Sequence, residues 1–380
     1  MDRCYSIVGV SDVTTGFGSP EVPALMDSLA RHFGCPALLI QPDEISRRPP
    51  SGPISPRVDV EHVCSTWETH TPPYAIEYLR HAAARVNRLR PEVLVVFSGF
   101  TFPLLARLRY RPRLVIYHCY ELAGRDWRST QVHRLLARKV DIITFPETMR
   151  AVLDTQACHF RGIPKVILYN CGTELTQSPP QPVPWDCRNG RILYSGTISP
   201  GVALSEYFWQ EDTARLPIDI TGRIVARSDE QAQQIAARLT GSLRYFGLLE
   251  PEQLAAMRGR YAYSLLMWNP KISPNHHYAA PNRLFQSIQA GVPPIAAPHP
   301  QCREIIRRFD CGILMHDWSF EAFRQALHQA LTLYGTPRYK QLVENCLGAA
   351  RRELNWEAQF RKLLPLIEAC WNKESLPCAS

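Results

Sequence analysis

Short apolar runs alternate with amphipathic stretches along most of the chain. In the first half, runs at 6–10, 37–40, 58–63, 93–97, 114–117, 141–145 and 166–168 predict strands, and the spacing at 73–89 and 130–137 predicts helices between them. Such βα alternation implies a mainly parallel sheet. Residues 178–190 read S-P-P-Q-P-V-P-W-D-C-R-N-G, rich in proline and without periodicity, which predicts a semi-rigid linker and a domain boundary. Strand signals resume at 192–194, 217–220, 243–246, 263–267, 294–297 and 313–315. The two halves share one architecture, and a ligand cleft is expected where the carboxyl ends of their strands face each other.

The stretch 278–317 carries the most information. Leu284, Phe285 and Ile288 have the spacing of a short helix, opened by Pro281-Asn282 and stopped by Gly291, and an apolar strand follows at 292–297. Backbone N–H groups at the start of that helix, with Arg283 in its first turn, form a site suited to phosphate. A second helix and a second apolar strand, at 311–315, come next.

This stretch resembles the donor-binding half of GT-B glycosyltransferases of the large retaining family 4, whose chains carry P-x-K/R-L-F-E-x-x-A-x-G-x-P-V-I and then R-E-I…G-I-L. Pro281, Arg283, Leu284, Phe285, Gly291 and Pro293 match, whereas Gln286 stands where the family has glutamate. The resemblance covers nearly the whole chain and is weakest over 40–90. It implies two doubly wound, Rossmann-like α/β domains facing each other across a cleft. The expected divisions are an acceptor-side domain at 1–177, the linker at 178–190, a donor-side domain at 191–352, and a C-terminal helix at 353–380 returning to the first domain.

The helix start implies donor contacts from Asn282, Arg283 and Leu284. Arg223 follows a predicted strand whose end should open onto the cleft, so it is a second cation for the diphosphate or else an ordinary loop charge. The turn Ser195-Gly196-Thr197 resembles the family's V-G-R-L-x-x-x-K-G turn, with Thr197 in place of the arginine and no lysine before Gln210. Gly16 and Gly18, after the first strand, resemble the family's glycine loop. His118 follows the strand at 114–117, with Glu121 three residues on, and the pair reads as a sugar-contacting or proton-transferring histidine with its orienting carboxylate, or as a satisfied structural histidine. The family's two glutamates, eight residues apart, fall at Tyr278 and Gln286. Gln286 retains hydrogen bonding to ribose hydroxyls through its amide. Two explanations stay open, a subfamily reading its donor with Asn, His and Tyr, or a domain that has lost turnover.

Composition changes this picture little. At 380 residues, 45% hydrophobic and 21% charged, the chain can bury two ordinary cores. It has no apolar run of membrane-spanning length, and Met1-Asp2-Arg3-Cys4 leads into the first strand without a basic-then-apolar leader, so a soluble, cytoplasmic protein is expected. The twelve cysteines are scattered without a C-x-x-C pair, which fits a reducing compartment. His276, His277 and His299 lack partners at ligand spacing and no Asp-x-Asp triplet occurs, so no metal and no cofactor beyond the nucleotide diphosphate sugar is expected. The formal charge is +8, with eight arginines between Arg80 and Arg113 against the single Glu92. That cluster is either an attractor for an anionic membrane surface or a solvated arginine-rich face. Nucleic acid is disfavoured, because aromatic residues are not interleaved with it.

The expected activity is transfer of a sugar from a nucleotide diphosphate to a glycan, lipid-linked or small-molecule acceptor. It is expected to proceed with retention and without a metal. The alternatives are a non-catalytic nucleotide-sugar-binding or partner subunit and a GT-B sugar-nucleotide 2-epimerase.

Overall fold

The run Val93-Leu94-Val95-Val96-Phe97 has no polar face, as a strand covered on both sides requires, and all five residues are buried in the middle of a parallel sheet. The computed structural model describes residues 4–15, 19–43, 55–65, 67, 71–124, 126–172 and 182–372. It divides into two compact units, residues 1–176 with 356–380, and residues 177–355.

In the first unit the chain runs β1 (Ile7–Val10), α1 (Glu21–Phe33), β2 (Ala37–Pro42), β3 (Val58–Val63), α2 (Pro72–Leu89), β4 (Val93–Phe97), α3 (Ser98–Thr101), β5 (Leu114–His118), α4 (Trp127–Leu136), β6 (Ile142–Phe145), α5 (Thr148–Ala157) and β7 (Lys165–Ile167). The seven strands are parallel in the order β3-β2-β1-β4-β5-β6-β7. One face of the sheet packs on a core that includes Tyr78, Ala82 and Val86 of α2. The other packs on Leu25 and Leu29 of α1 and on Trp356, Leu363 and Ile367 of the chain's last helix.

The second unit contains β8 (Ile192–Ser195), β9 (Ile218–Thr221), α6 (Asp229–Arg238), β10 (Arg244–Tyr245), α7 (Pro251–Arg258), β11 (Tyr263–Leu266), α8 (Pro274–His277), α9 (Asn282–Gln289), β12 (Pro294–Ala296), α10 (Pro300–Phe309), β13 (Ile313–Leu314), α11 (Phe320–Leu333) and α12 (Pro337–Arg352). Its six strands are also parallel, in the order β10-β9-β8-β11-β12-β13. The final helix, α13 (Trp356–Asn372), belongs to the first unit. No described helix is long and apolar enough to cross a membrane.

Some elements differ from the sequence expectation. The strand expected at 243–246 shortens to Arg244–Tyr245 at the sheet edge, where Leu243 is buried in the core and Phe246 is exposed. The helix expected from Thr130 begins at Trp127, because the Asp126 carboxylate accepts the Ser129 N–H at 2.9 Å and caps it earlier. His118 is the last residue of β5 and does not lie beyond it.

On β9 the fully buried Asp219 accepts hydrogen bonds from Arg191 at 2.6 Å, from Arg244 at 2.8 and 2.5 Å, and from the Tyr261 hydroxyl at 2.8 Å. It thereby joins residues on or just before four neighbouring strands.

Candidate functional site

In each sheet the strand order reverses direction once, and beside that reversal the carboxyl ends of two strands leave room for a ligand. In the second unit the reversal lies between β8 and β11. Ser195 ends the first of these strands with Gly196 directly after it, and Trp268 follows the second. Arg283, in the first turn of α9, reaches this point. Its Nη1–H donates to the Ser195 carbonyl, and its guanidinium lies 4.4 Å from the Trp268 ring centroid and 5.3 Å from that of Tyr194.

The surrounding backbone admits only glycine at two places. Gly196 has φ +155°, and a side chain there would strike the Arg283 guanidinium. Gly222, at φ +141°, follows β9, and a side chain there would collide with the Gly196 carbonyl. Thr197 is exposed, its carbonyl accepting the Tyr194 hydroxyl at 2.6 Å. Arg223 also points to solvent, with its backbone carbonyl bonded to the Ile198 N–H at 2.9 Å.

Gln286 lies one turn beyond Arg283 on the same face of α9. Its Oε1 accepts from Arg258 Nη2 at 3.0 Å. Arg258, in the last turn of α7, is only 3% exposed, and burial, with the charge of Arg283 nearby, pushes its pKa down to about 10. Among the described residues no carboxylate lies within ion-pair distance of Arg258 or Arg283. Asn282 is half-buried, and Leu284 is wholly buried in the core. Tyr278 closes the short helix α8, its N–H bonded to the Pro274 carbonyl at 2.8 Å and its ring edge-on to His277 at 4.7 Å.

In the first unit the reversal lies between β1 and β4. Asp12 follows β1, and Ser98 follows β4 in a left-handed conformation, φ +66°. The Tyr120 hydroxyl donates to Asp12 Oδ1. Burial pushes the Asp12 carboxyl above its usual range, against the opposing hydrogen bonds of Tyr120 and Ser98. His118 is fully buried and its Nδ1 shares a 2.6 Å hydrogen bond with Thr144 Oγ1. Burial pushes its pKa down to about 3, so the ring is neutral near pH 7. Thr144 thus orients His118, while Glu121 is exposed and makes no hydrogen bond to it. Gly16 and Gly18 lie outside the described residues.

The structure therefore gathers Gly196, Arg283 and Gln286 at one point and places His118 near the other, while Thr197, Arg223 and Glu121 face solvent. Sequence reasoning passed over Arg258, Ser98, and the pairing of Asp12 with Tyr120. Arg258 sits in A-A-M-R-G-R, which reads as a charged helix end, and no local signal marks its burial. Asp12 and Ser98 each follow directly on a strong strand signal, which was the available clue. Among the described residues no group of three or more His, Cys, Asp or Glu is placed to hold a metal ion.

No protein-family model matches the chain, and no curated protein matches it in sequence. Solved structures do match over almost the full length. Sucrose-phosphate synthase of Thermosynechococcus elongatus is 15% identical with a TM-score of 0.74, covering 96% of this chain and 98% of its own. A glycosyltransferase of Rickettsia africae is 9% identical with a TM-score of 0.71, covering 98% and 100%. HepE of Anabaena, solved with UDP, is 11% identical with a TM-score of 0.69, covering 96% and 100%. The fold is GT-B. Within this GT-B chain each Rossmann-like unit carries its own set of polar side chains at the reversal of its sheet.

Proposed function

We propose that the chain is a GT-B glycosyltransferase of the retaining family 4 type, which takes a sugar from a nucleotide diphosphate donor without a metal and passes it to a glycan or lipid-linked acceptor. The observation that carries this reading is Arg283, held at the strand reversal of the second unit with no carboxylate among the described residues to neutralise it. A departing diphosphate needs positive charge and backbone N–H groups where its own charge develops, and the start of α9 supplies both. HepE of Anabaena, solved with UDP and with UDP-glucose, and WaaG, described as involved in lipopolysaccharide biosynthesis, support the choice of donor and acceptor class. In the first unit a neutral His118 serves as a hydrogen-bonding group toward a sugar, and Asp12 is the carboxylate best placed to meet an acceptor hydroxyl.

The test begins with a thermal-shift panel of UDP-, GDP-, ADP- and dTDP-sugars, in which the true donor raises the melting temperature with saturation. Arg283→Ala is then expected to weaken binding of that donor by about 1.5–3 kcal/mol, the scale of a hydrogen bond to a charged group. Calorimetry showing unchanged affinity in a variant of native melting temperature would remove Arg283 from the site. Transfer or hydrolysis of the donor separates an enzyme from a subunit that only binds it.

Turnover is expected to survive EDTA, since cationic side chains and a helix terminus do the neutralising here. Loss of activity on chelation, restored by Mg²⁺ or Mn²⁺, contradicts that part of the proposal.

Peripheral attachment to an anionic membrane face completes the reading. Arg85 is paired with Glu61 at 2.7 Å and Arg111 with Asp141 at 2.6 Å, while Arg90 lies over Tyr110 at 5.3 Å and Arg113 over Trp371 at 3.8 Å, so the attraction falls to exposed Arg80, Arg88, Arg107 and Arg109. Each basic residue near such a surface contributes about 1 kcal/mol. Co-sedimentation with phosphatidylserine vesicles is expected at low salt and reduced at ~0.15 M. Replacing these four arginines with Gln should abolish it, and unchanged sedimentation marks them as a solvated face.

A further inference from the structure

Three arginines of the described chain are buried: Arg150, Arg188 and Arg258. Arg150 has the carboxylates of Glu121, Glu147 and Asp154 around it. Arg188 donates to the carbonyls of Gly291 and Val183 and to the Tyr339 hydroxyl. Arg258 differs from both, because its hydrogen bond goes to the side chain of Gln286, one turn along α9 from Arg283, and the charge that acts on it is the like charge of Arg283. Enclosing a guanidinium without a counter-ion is costly, and a second cation beside it adds to the cost. An anion arriving at Arg283 relieves both.

We propose that Arg258 is the rear cation and a positioning residue of the donor-phosphate site. It holds Gln286 by the amide oxygen, which leaves the amide N–H bonds as the groups that side chain offers a ligand. It also sets a second positive charge behind Arg283, matching the site to a diphosphate in preference to a monophosphate. The inference rests on the donor reading of Arg283 given above.

Calorimetry on the full chain tests it with UDP, GDP, ADP and dTDP and the monophosphate of whichever binds best. The wild type is expected to bind the diphosphate at least tenfold more tightly than the monophosphate. Arg258→Gln should cut diphosphate affinity tenfold or more and lower monophosphate affinity much less, so that the preference collapses. Arg258→Lys, which restores the charge, should recover part of it. Gln286→Glu cancels the rear charge with Arg258 still in place, and the same collapse is expected there even if Arg258→Gln does not fold. Equal losses for both nucleotides, or a preference intact in Gln286→Glu or in a folded Arg258→Gln, overturn the role of Arg258 alone. If no nucleoside diphosphate binds the wild type, the donor reading itself falls, and this inference with it.

Discussion

Asp219→Ala is expected to destabilise the second unit by about 3 kcal/mol, the lower end of the range for stranding the partners of a buried carboxylate. Arg191, which is 19% exposed, loses its counter-charge in a largely dry setting, whereas Arg244, 49% exposed, recovers part of its loss from water. The sign of the pH dependence follows from the same contacts. Burial by itself raises the carboxyl's pKa, but the hydrogen bonds from Arg244, Arg191 and Tyr261 outweigh it and hold the folded value below the usual range. An unfolded Asp titrates near ~3.9, so the stabilisation is fully present above that pH and is lost as pH falls through the lower folded value. Urea denaturation of wild type and variant at pH 7 and near pH 3 should show the gap between them narrowing in acid. A gap that stays constant places its origin in packing and not in the carboxylate's charge.

Trp356→Ala should cost about 3–5 kcal/mol in the first unit, the range for removing a large aromatic side chain from a packed core. Trp356 is fully buried, its Nε1–H donates to Ser28 Oγ at 2.9 Å, and it shares a core with Ile7, Val22 and Leu29. Trp356→Phe keeps most of the volume and loses the hydrogen bond, so a smaller loss of about 1 kcal/mol is expected. Denaturant titration of the two variants measures the difference. Equal costs would mean that the indole N–H, and not the bulk of the ring, dominates the contact.

The strands were legible wherever an apolar run is covered on both faces, as at Ile7–Val10 and Val93–Phe97. Legibility failed at the sheet edge, where only Arg244 and Tyr245 pair with β9 although the flanking Leu243 and Phe246 look equally strand-like. Arg283 could be read because a helix start has a local signature. Arg258 could not, since its meaning comes from Gln286, 28 positions away, and from burial that the helix sequence does not encode. Asp12 and Tyr120 are 108 positions apart and meet only because their strands end on the same edge of one sheet. His118 drew attention as a histidine beside a carboxylate, but its partner proved to be Thr144 on the adjacent strand, a neighbour set by sheet order and not by sequence distance.

The placement of α13 has a consequence for the order in which the molecule can be made. Residues 177–355 form one uninterrupted compact unit, whereas the other unit is written in two pieces, 1–176 and 356–380, with that whole unit between them. During synthesis the early strands emerge first, yet the apolar surface that Trp356, Leu363 and Ile367 cover stays open until the last helix has left the ribosome. The unit begun first is thus completed last, so a stalled or truncated translation product would hold a finished second unit attached to an unfinished first one.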